Sequence, residues 1–252
     1  MARKAALVTG AARRIGLAIA ERLASAGYDL AIHSSGATRQ EAEAAAAHLR
    51  NQGREAVVIA AELADPAQPE RIVAAAHAAL GPLSVLVNNA SIFARDAAEA
   101  IDVALFDKTI AVNLRAPILL AQHFAHQVPE GTEAVIINLV DQRVWRPTPL
   151  FFSYSTSKAG LWWATQTLAQ AYAPRRIRVN AVGPGPVLPN TPEGDAGFEK
   201  EVAGVPLKRA IAPAEIADAV LYLVEARNVT GQMIAVDSGQ HLAWQTPDIL
   251  EE

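Results

Sequence analysis

Two periods alternate along this chain: short apolar runs of strand length, and longer stretches in which apolar residues recur at helical spacing. Ala5 to Val8 is an apolar run that ends at Thr9-Gly10, and from Ile15 onward Leu17, Ile19, Ala20 and Leu23 repeat at helical spacing until Gly27. This predicts a strand, a tight turn and a helix. The alternation continues with a strand over Asp29 to His33, an alanine-rich helix over Glu41 to Leu49, a strand over Ala56 to Ala60, a helix over Pro69 to Leu80 and a strand over Leu83 to Val87. The alanines read as ordinary helix, because alanine is the best helix former. A long helix is predicted from about Asp102 to Gln127, kinked at Pro117. Then come a strand over Ala134 to Leu139, a helix carrying Tyr154 and Lys158, a strand over Ile177 to Val182 and an irregular loop from Gly183-Pro184-Gly185-Pro186 to about Ala203. A helix over Pro213 to Ala226 and a strand over Gln232 to Val236 close the series. Strands alternating with helices predict a doubly wound α/β fold, a parallel sheet covered on both faces.

With 252 residues, 51% hydrophobic and 19% charged, the chain is long enough for one sizeable core. No linker-like stretch or internal repeat divides it, so a single domain over residues 1–252 is expected, with a lid at about 186–203. A formal net charge of -4 gives no electrostatic argument for nucleic acid or an anionic membrane, and the densest basic run, Arg175-Arg176-Ile177-Arg178, is short. There are no cysteines, which excludes disulfides and thiolate metal sites, and the six histidines lack ligand spacing. No metal is expected. The first apolar run is too short for a signal-peptide core, and no later run reads as membrane-spanning. The expectation is a cytoplasmic protein acting on a small molecule.

In an open α/β sheet, ligands bind at the carboxyl ends of the strands. Thr9-Gly10, Asn88-Asn89-Ala90, Asp141 and Gly183-Pro184-Gly185 all fall at such ends. Thr9-Gly10-Ala11-Ala12-Arg13-Arg14-Ile15-Gly16 leads into a helix whose free N–H groups and dipole suit a pyrophosphate, and Arg13 and Arg14 add positive charge where a helix alone disfavours it. After the second strand the chain has His33-Ser34-Ser35-Gly36 and then Arg39, where a free ribose would normally meet a carboxylate. Hydroxyls and guanidinium groups can bind a 2′-phosphate, so NADP(H) is expected rather than NAD(H). Tyr154 and Lys158 stand at i and i+4, about 6 Å apart at Cβ on one helix face. An ammonium there is expected to lower the proton affinity of the tyrosine. A Tyr-x-x-x-Lys pair alone arises often by chance, and its weight comes from the dinucleotide site elsewhere in the chain.

Thr9-Gly10 with Gly16, Asn88-Asn89-Ala90, Asn113, Tyr154 with Lys158, Pro184-Gly185 and Val236-Asp237-x-Gly239 together resemble the short-chain dehydrogenase/reductase family over roughly residues 5 to 239. The resemblance implies a seven-stranded Rossmann-like sheet, a homotetramer and hydride transfer from a nicotinamide. It also implies Tyr154 as proton donor, Lys158 on the nicotinamide ribose and Asn113 holding a proton-relay water. The implied cofactor site is Gly10, Arg13, Arg14, Ile15, Gly16, His33, Ser34, Ser35, Glu62, Leu63, Asn89, Ala90, Ser91, Tyr154, Lys158, Pro184 and Gly185, with Glu62 beside the adenine.

Three departures narrow the reading. The family's usual middle glycine of the first turn is Arg14, the usual glycine after Asn88-Asn89-Ala90 is Ser91, and the catalytic serine is replaced by Asp141. Ser153 would point off the helix in another direction and is a poor substitute. An ionised aspartate only accepts hydrogen bonds and would repel a developing oxyanion; it suits a substrate whose reacting atom is a nitrogen to be protonated. With Asn138-Leu139-Val140-Asp141, Phe93 and Val182-Gly183-Pro184-Gly185, these departures resemble the pteridine reductase branch. That resemblance implies Arg14 on both cofactor phosphate and pterin, Phe93 stacked on the pterin, Ser91 beside it, and Asp141 with Tyr154 delivering protons. Pro184 and Leu188 are expected in the substrate pocket, with Trp145 and Trp244 expected to help shape it, whereas Trp162 and Trp163 are expected in core and subunit contacts. Ser238 replaces another usual glycine and has no reason in the sequence. The competing readings are a ketone or 3-oxoacyl reductase of the same family, and a non-catalytic NADP(H)-binding sensor.

Overall fold

A computed structural model describes residues 4–189 and 194–243. Seven strands form one parallel sheet: β1 (Lys4–Val8), β2 (Tyr28–Ser34), β3 (Ala56–Ala60), β4 (Leu83–Asn88), β5 (Ala134–Leu139), β6 (Ile177–Pro184) and β7 (Met233–Val236). Their spatial order is β3-β2-β1-β4-β5-β6-β7. The chain therefore winds outward from β1 to β3, returns to the middle, and winds the other way from β4 to β7. That reversal opens a crevice between the carboxyl ends of β1 and β4. Register levels those ends, because Val8 pairs with both Ile32 and Val87, Asn88 with Asn138, and Leu139 with Val182.

Helices cover both faces, which is why the central strands are continuous apolar runs rather than alternating ones. On one face α1 (Arg14–Ser25), α2 (Arg39–Asn51) and α8 (Pro213–Glu225) pack Ile19, Leu23, Leu49, Ile216 and Val220 over Val8, Ile32 and Val87. On the other, α3 (Gln68–Leu80), α5 (Ala116–Gln127) and α6 (Phe152–Tyr172) pack Ile72, Leu120, Phe124 and Ala169 over Leu7, Leu86 and Ile136. One buried polar chain crosses that second interface. Asn88 Nδ2 donates to Asn138 Oδ1 at 2.9 Å, and Asn138 Nδ2 donates to Thr165 Oγ1 at 2.9 Å, fixing α6 against the strand ends below the site.

Two expectations are corrected. The long helix is interrupted not at Pro117 but just before it, by a π turn over Ala111–Arg115 between α4 (Val103–Ile110) and α5. Pro117 lies in the first turn of α5, where a missing N–H is tolerated; having no N–H, it also cannot bond the carbonyl of Asn113. The turn widens there instead. The loop expected to run to Ala203 contains α7 (Gly194–Gly204), which buries no residue and so carries no apolar stripe by which to recognise it. Residues 190–193 of the expected lid, and Trp244, lie outside the described residues. No helix among those described is long and apolar enough to cross a membrane.

Candidate active site

The crevice is closed at its base by threonine and asparagine. Thr9 Oγ1 accepts the N–H groups of Asn89 and Ala90 at 2.9 and 3.0 Å, while Asn89 Nδ2 donates to the carbonyls of Thr9 and Gly10 at 2.9 and 3.1 Å. Gly10 turns the chain at φ +63, and a β-carbon on Gly16 would meet the Gly10 carbonyl at 2.2 Å. Only hydrogen fits there, so α1 can approach the turn closely and aim its free N–H groups along the crevice.

Arg14 opens α1 at φ +54, a left-handed conformation that glycine adopts without cost. An arginine there stores about 1 kcal/mol of strain. Its guanidinium reaches across the crevice and donates to the Pro189 carbonyl at 3.1 Å, linking the turn to the segment after β6. Arg14→Gly should therefore raise thermal stability slightly while weakening NADPH binding, and a melting curve with a fluorescence titration checks both directions.

His33 is the penultimate residue of β2. It borders the crevice, but both ring nitrogens are taken: Nδ1 accepts from the Gly10 N–H at 3.3 Å, and Nε2 lies 3.1 Å from the Ala61 carbonyl, to which it donates in the neutral tautomer. Burial lowers its pKa to about 4. It is a neutral pin for the turn. Below its ordinary value of 6.5 the unfolded chain binds a proton that the native state refuses, so stability present above pH 6.5 is lost as pH falls toward 4. The loss should reach about 3 kcal/mol, and His33→Gln should flatten that part of a urea-unfolding series against pH.

A cleft of about 460 Å³ is lined by Gly10, Arg13, Arg14, Ile15, Gly16, His33, Ser35, Glu62, Leu63, Asn89, Ala90 and Ser91. Thr38, Ile92, Lys108 and Val112 join them; sequence reasoning did not name these, and no motif marks them. Ser34 does not line the cleft. It is the last residue of β2, fully buried, with its hydroxyl unpartnered among the described residues, because strand alternation turns it away. Arg13 Nη1 lies 3.6 Å from Glu41 Oε1, and Glu62 Oε1 accepts the Gly36 N–H at 3.0 Å.

The cleft continues past Arg14, Ile15, Asn89 and Ser91 into a cavity of about 230 Å³. Here Tyr154 O–H donates to Asp141 Oδ2 at 2.8 Å. Lys158, buried, donates from Nζ to the Leu139 carbonyl at 2.7 Å and lies 5.6 Å from the tyrosine ring centroid. The expected lowering of the Tyr154 pKa by Lys158 is not what this arrangement gives. Burial, then the charge on Asp141, push the phenol well above its ordinary value, and burial lowers Lys158 to about 8. Tyr154 thus stays protonated, a hydrogen-bond donor held by a carboxylate.

Asn113, inside the π turn, is fully buried and commits its side chain: Oδ1 accepts from the Ile92 N–H at 2.8 Å, and Nδ2 donates to the Ile92 carbonyl and Ser157 Oγ at 2.9 and 3.1 Å. Ser157 Oγ in turn donates to the Tyr154 carbonyl at 2.6 Å. The side chain braces the tyrosine, which leaves its main-chain carbonyl for any relay water. Ser153 does point elsewhere, its N–H and hydroxyl both donating to Asp96.

Phe93 borders the cavity, but Phe151 already stacks on it, 4.4 Å between centroids at 14°. Tyr154 meets the ring edge-on at 4.7 Å. Arg143, which no sequence signal marked, lies 5.5 and 5.2 Å from the Phe93 and Phe151 centroids, beside the stack rather than on an outer face. Its N–H donates to Asp141 Oδ1 at 2.9 Å and its guanidinium stands 3.4 Å from Oδ2. Asp141 is thereby held on two sides, by a phenol and a cation. Pro184, Gly185 and Leu188 complete the wall. Trp145 is partly exposed and meets Trp162 and His241 edge-on, Trp163 projects to the surface, and Trp162 packs against a small cluster with Leu161. Ser238 acquires a reason: it sits at φ 53, where its hydroxyl donates to the Arg209 carbonyl at 2.7 Å.

A family model described as enoyl-(acyl carrier protein) reductase matches residues 10–241. A short-chain dehydrogenase/reductase of Armillaria gallica is 34% identical, over 94% of this chain and 95% of its own. This chain belongs to the short-chain dehydrogenase/reductase family. Within that family, the 3-oxoacyl-(acyl-carrier-protein) reductase of Staphylococcus aureus is 32% identical over 95% of this chain and 98% of its own. The structure of FolM alternative dihydrofolate reductase 1 from Brucella canis, complexed with NADP, is 48% identical, covers 99% of each chain and superposes with a TM-score of 0.91. Against the family's usual serine, Asp141 replaces a hydroxyl donor by a carboxylate while leaving tyrosine and lysine in place. Such a site can hold a proton between oxygen atoms and release it to a nitrogen, and is poorly suited to stabilise an alkoxide.

Proposed function

We propose that the protein is an NADPH-dependent reductase that transfers hydride to a pterin or a similar C=N heterocycle. The observation that carries the reading is the 2.8 Å hydrogen bond from Tyr154 to Asp141 at the position of the family's serine. The likeness to FolM alternative dihydrofolate reductase 1, complexed with NADP, supports both substrate class and cofactor. The residues present fit NADP(H): a glycine-only contact at Gly16, the open start of α1, and Ser35, Thr38 and Arg13 around the far end of the cleft. Bound NADPH supplies the hydride.

The geometry supports the following roles. Arg13, Arg14, Ile15 and the turn would hold the phosphates, Ser35 the 2′-phosphate, Glu62 and Leu63 the adenine, Asn89, Ala90, Ser91, Pro184 and Gly185 the nicotinamide end, and Lys158 its ribose. The substrate ring lies against Phe93, between Arg14, Ser91, Pro184 and Leu188, with its C=N toward Asp141 and Tyr154. As the ring nitrogen gains electron density it takes the Tyr154 proton. The phenolate left beside the Asp141 carboxylate is offset by Lys158 and Arg143 until it is reprotonated. Asn113 keeps Tyr154 in place through Ser157, and its carbonyl holds the water that returns the proton. We further propose one domain over residues 1–252 with a lid at about 186–203, working as a homotetramer in the cytoplasm.

The test is NADPH consumption with biopterin, dihydrobiopterin and dihydrofolate beside ketones and 3-oxoacyl thioesters. Pterin turnover is expected; turnover of ketones or thioesters alone would remove the substrate assignment and leave the family standing.

A further inference from the structure

The inner cavity carries a second polar cluster that the proton-delivery pair does not use. It draws on three separate elements: Gln142 in the turn just after β5, Glu201 on α7 and Gln240 beyond β7. Gln142 is 3% exposed, and its Oε1 has no hydrogen-bond partner among the described residues. A buried amide oxygen left in that state costs about 1–3 kcal/mol, which a ligand N–H would recover once the side chain turns that oxygen toward the cavity. Glu201 presents a carboxylate to the same cavity, held by a 3.0 Å bond from Gln240 Nε2 to Oε1, and its charge is felt at Tyr154. Glu201 offers only acceptors, and Gln142 offers its bare amide oxygen beside its own N–H donors. Arg14, by contrast, offers this cavity only donors.

We propose that Gln142 and Glu201 are specificity-determining residues that accept hydrogen bonds from the amino-substituted edge of the substrate ring. This rests on the heterocycle reading given above and deepens it, by naming the ring substituent the site selects. A 2-amino-4-oxo pyrimidine edge offers adjacent N–H donors matched to a carboxylate and an amide oxygen, whereas a 2,4-dioxo edge sets a carbonyl oxygen against them. A site built to accept hydrogen bonds rejects the analogue that cannot donate, because its own groups are then left unpaired.

The experiment compares kcat/KM for a dihydropterin and the matching 2,4-dioxo dihydropteridine in wild type, Glu201→Gln and Gln142→Leu, with the NADPH Kd as a check on the fold. Wild type should prefer the amino compound at least about tenfold. Glu201→Gln should reduce that preference by about tenfold, chiefly through the KM of the amino compound, with the NADPH Kd unchanged. Gln142→Leu should shift it the same way. Equal kcat/KM for both rings in wild type, or a preference that both variants leave intact, would overturn the assignment of these two residues while the pterin reading stood. If wild type reduced neither ring but did reduce a 3-oxoacyl thioester, the pterin reading itself would fall and this inference with it.

Discussion

Tyr154→Phe should lower kcat for pterin reduction by about 10²- to 10⁴-fold, the range for loss of a positioned general acid, while changing the NADPH Kd little. Phenylalanine fills the same volume beside Phe93 and leaves the Ser157 bond to the main-chain carbonyl intact, so the loss isolates the proton. Asp141→Asn should act in the same direction by a different route. The amide can still accept from the Tyr154 hydroxyl, but the negative charge that faces Arg143 is gone, and Arg143 is left beside a neutral group. Single-turnover absorbance at the NADPH band, with dihydropterin in excess, reads both variants. A Tyr154→Phe enzyme that kept wild-type rates would remove tyrosine from the chemistry.

The second large effect concerns the cofactor. Ser35→Asp should exchange the preference for NADPH over NADH. Ser35 is the serine that faces the cleft at the end of β2, whereas Ser34 is turned into the strand packing. A carboxylate at 35 would bond a free ribose and repel a 2′-phosphate. Losing one charge-assisted bond and meeting a like charge should weaken NADPH by at least about 10- to 100-fold, with NADH gaining. Ser34→Asp, buried instead in β2, should reduce folded yield, which separates the two serines. Equilibrium titration with each nucleotide distinguishes them.

The elements of the sheet were legible because the strands are short, largely apolar stretches bounded by turn residues; β3 and β5 fall where those stretches do. The crevice was legible because Thr9-Gly10, Asn88-Asn89 and Asp141 must meet once the sheet is parallel and reverses at β1. Side-chain commitments were not legible. That His33 would spend both nitrogens on the turn, or that Asn113 would spend its amide on Ile92, depends on loops packed together from distant parts of the chain. Arg143 was not legible because Asp141, Phe93 and Phe151, which it meets, converge only in three dimensions. Glu201 was not legible because an exposed helix without an apolar stripe reads as loop. The direction of the tyrosine pKa was not legible: helical spacing brings Lys158 near the ring, but the hydroxyl itself rests on Asp141.

The central claim is that Asp141 makes this a reductase of C=N bonds rather than of ketones. The most direct measurement is the ratio of kcat/KM for dihydropterin to that for a 3-oxoacyl thioester, in wild type and in Asp141→Ser, with NADPH. The account predicts a ratio well above one in wild type that falls by about 10²-fold or more in Asp141→Ser, as a serine donor replaces the carboxylate beside Tyr154 and the thioester gains. A ratio that Asp141→Ser leaves unchanged, with both activities rising or falling together, would contradict it.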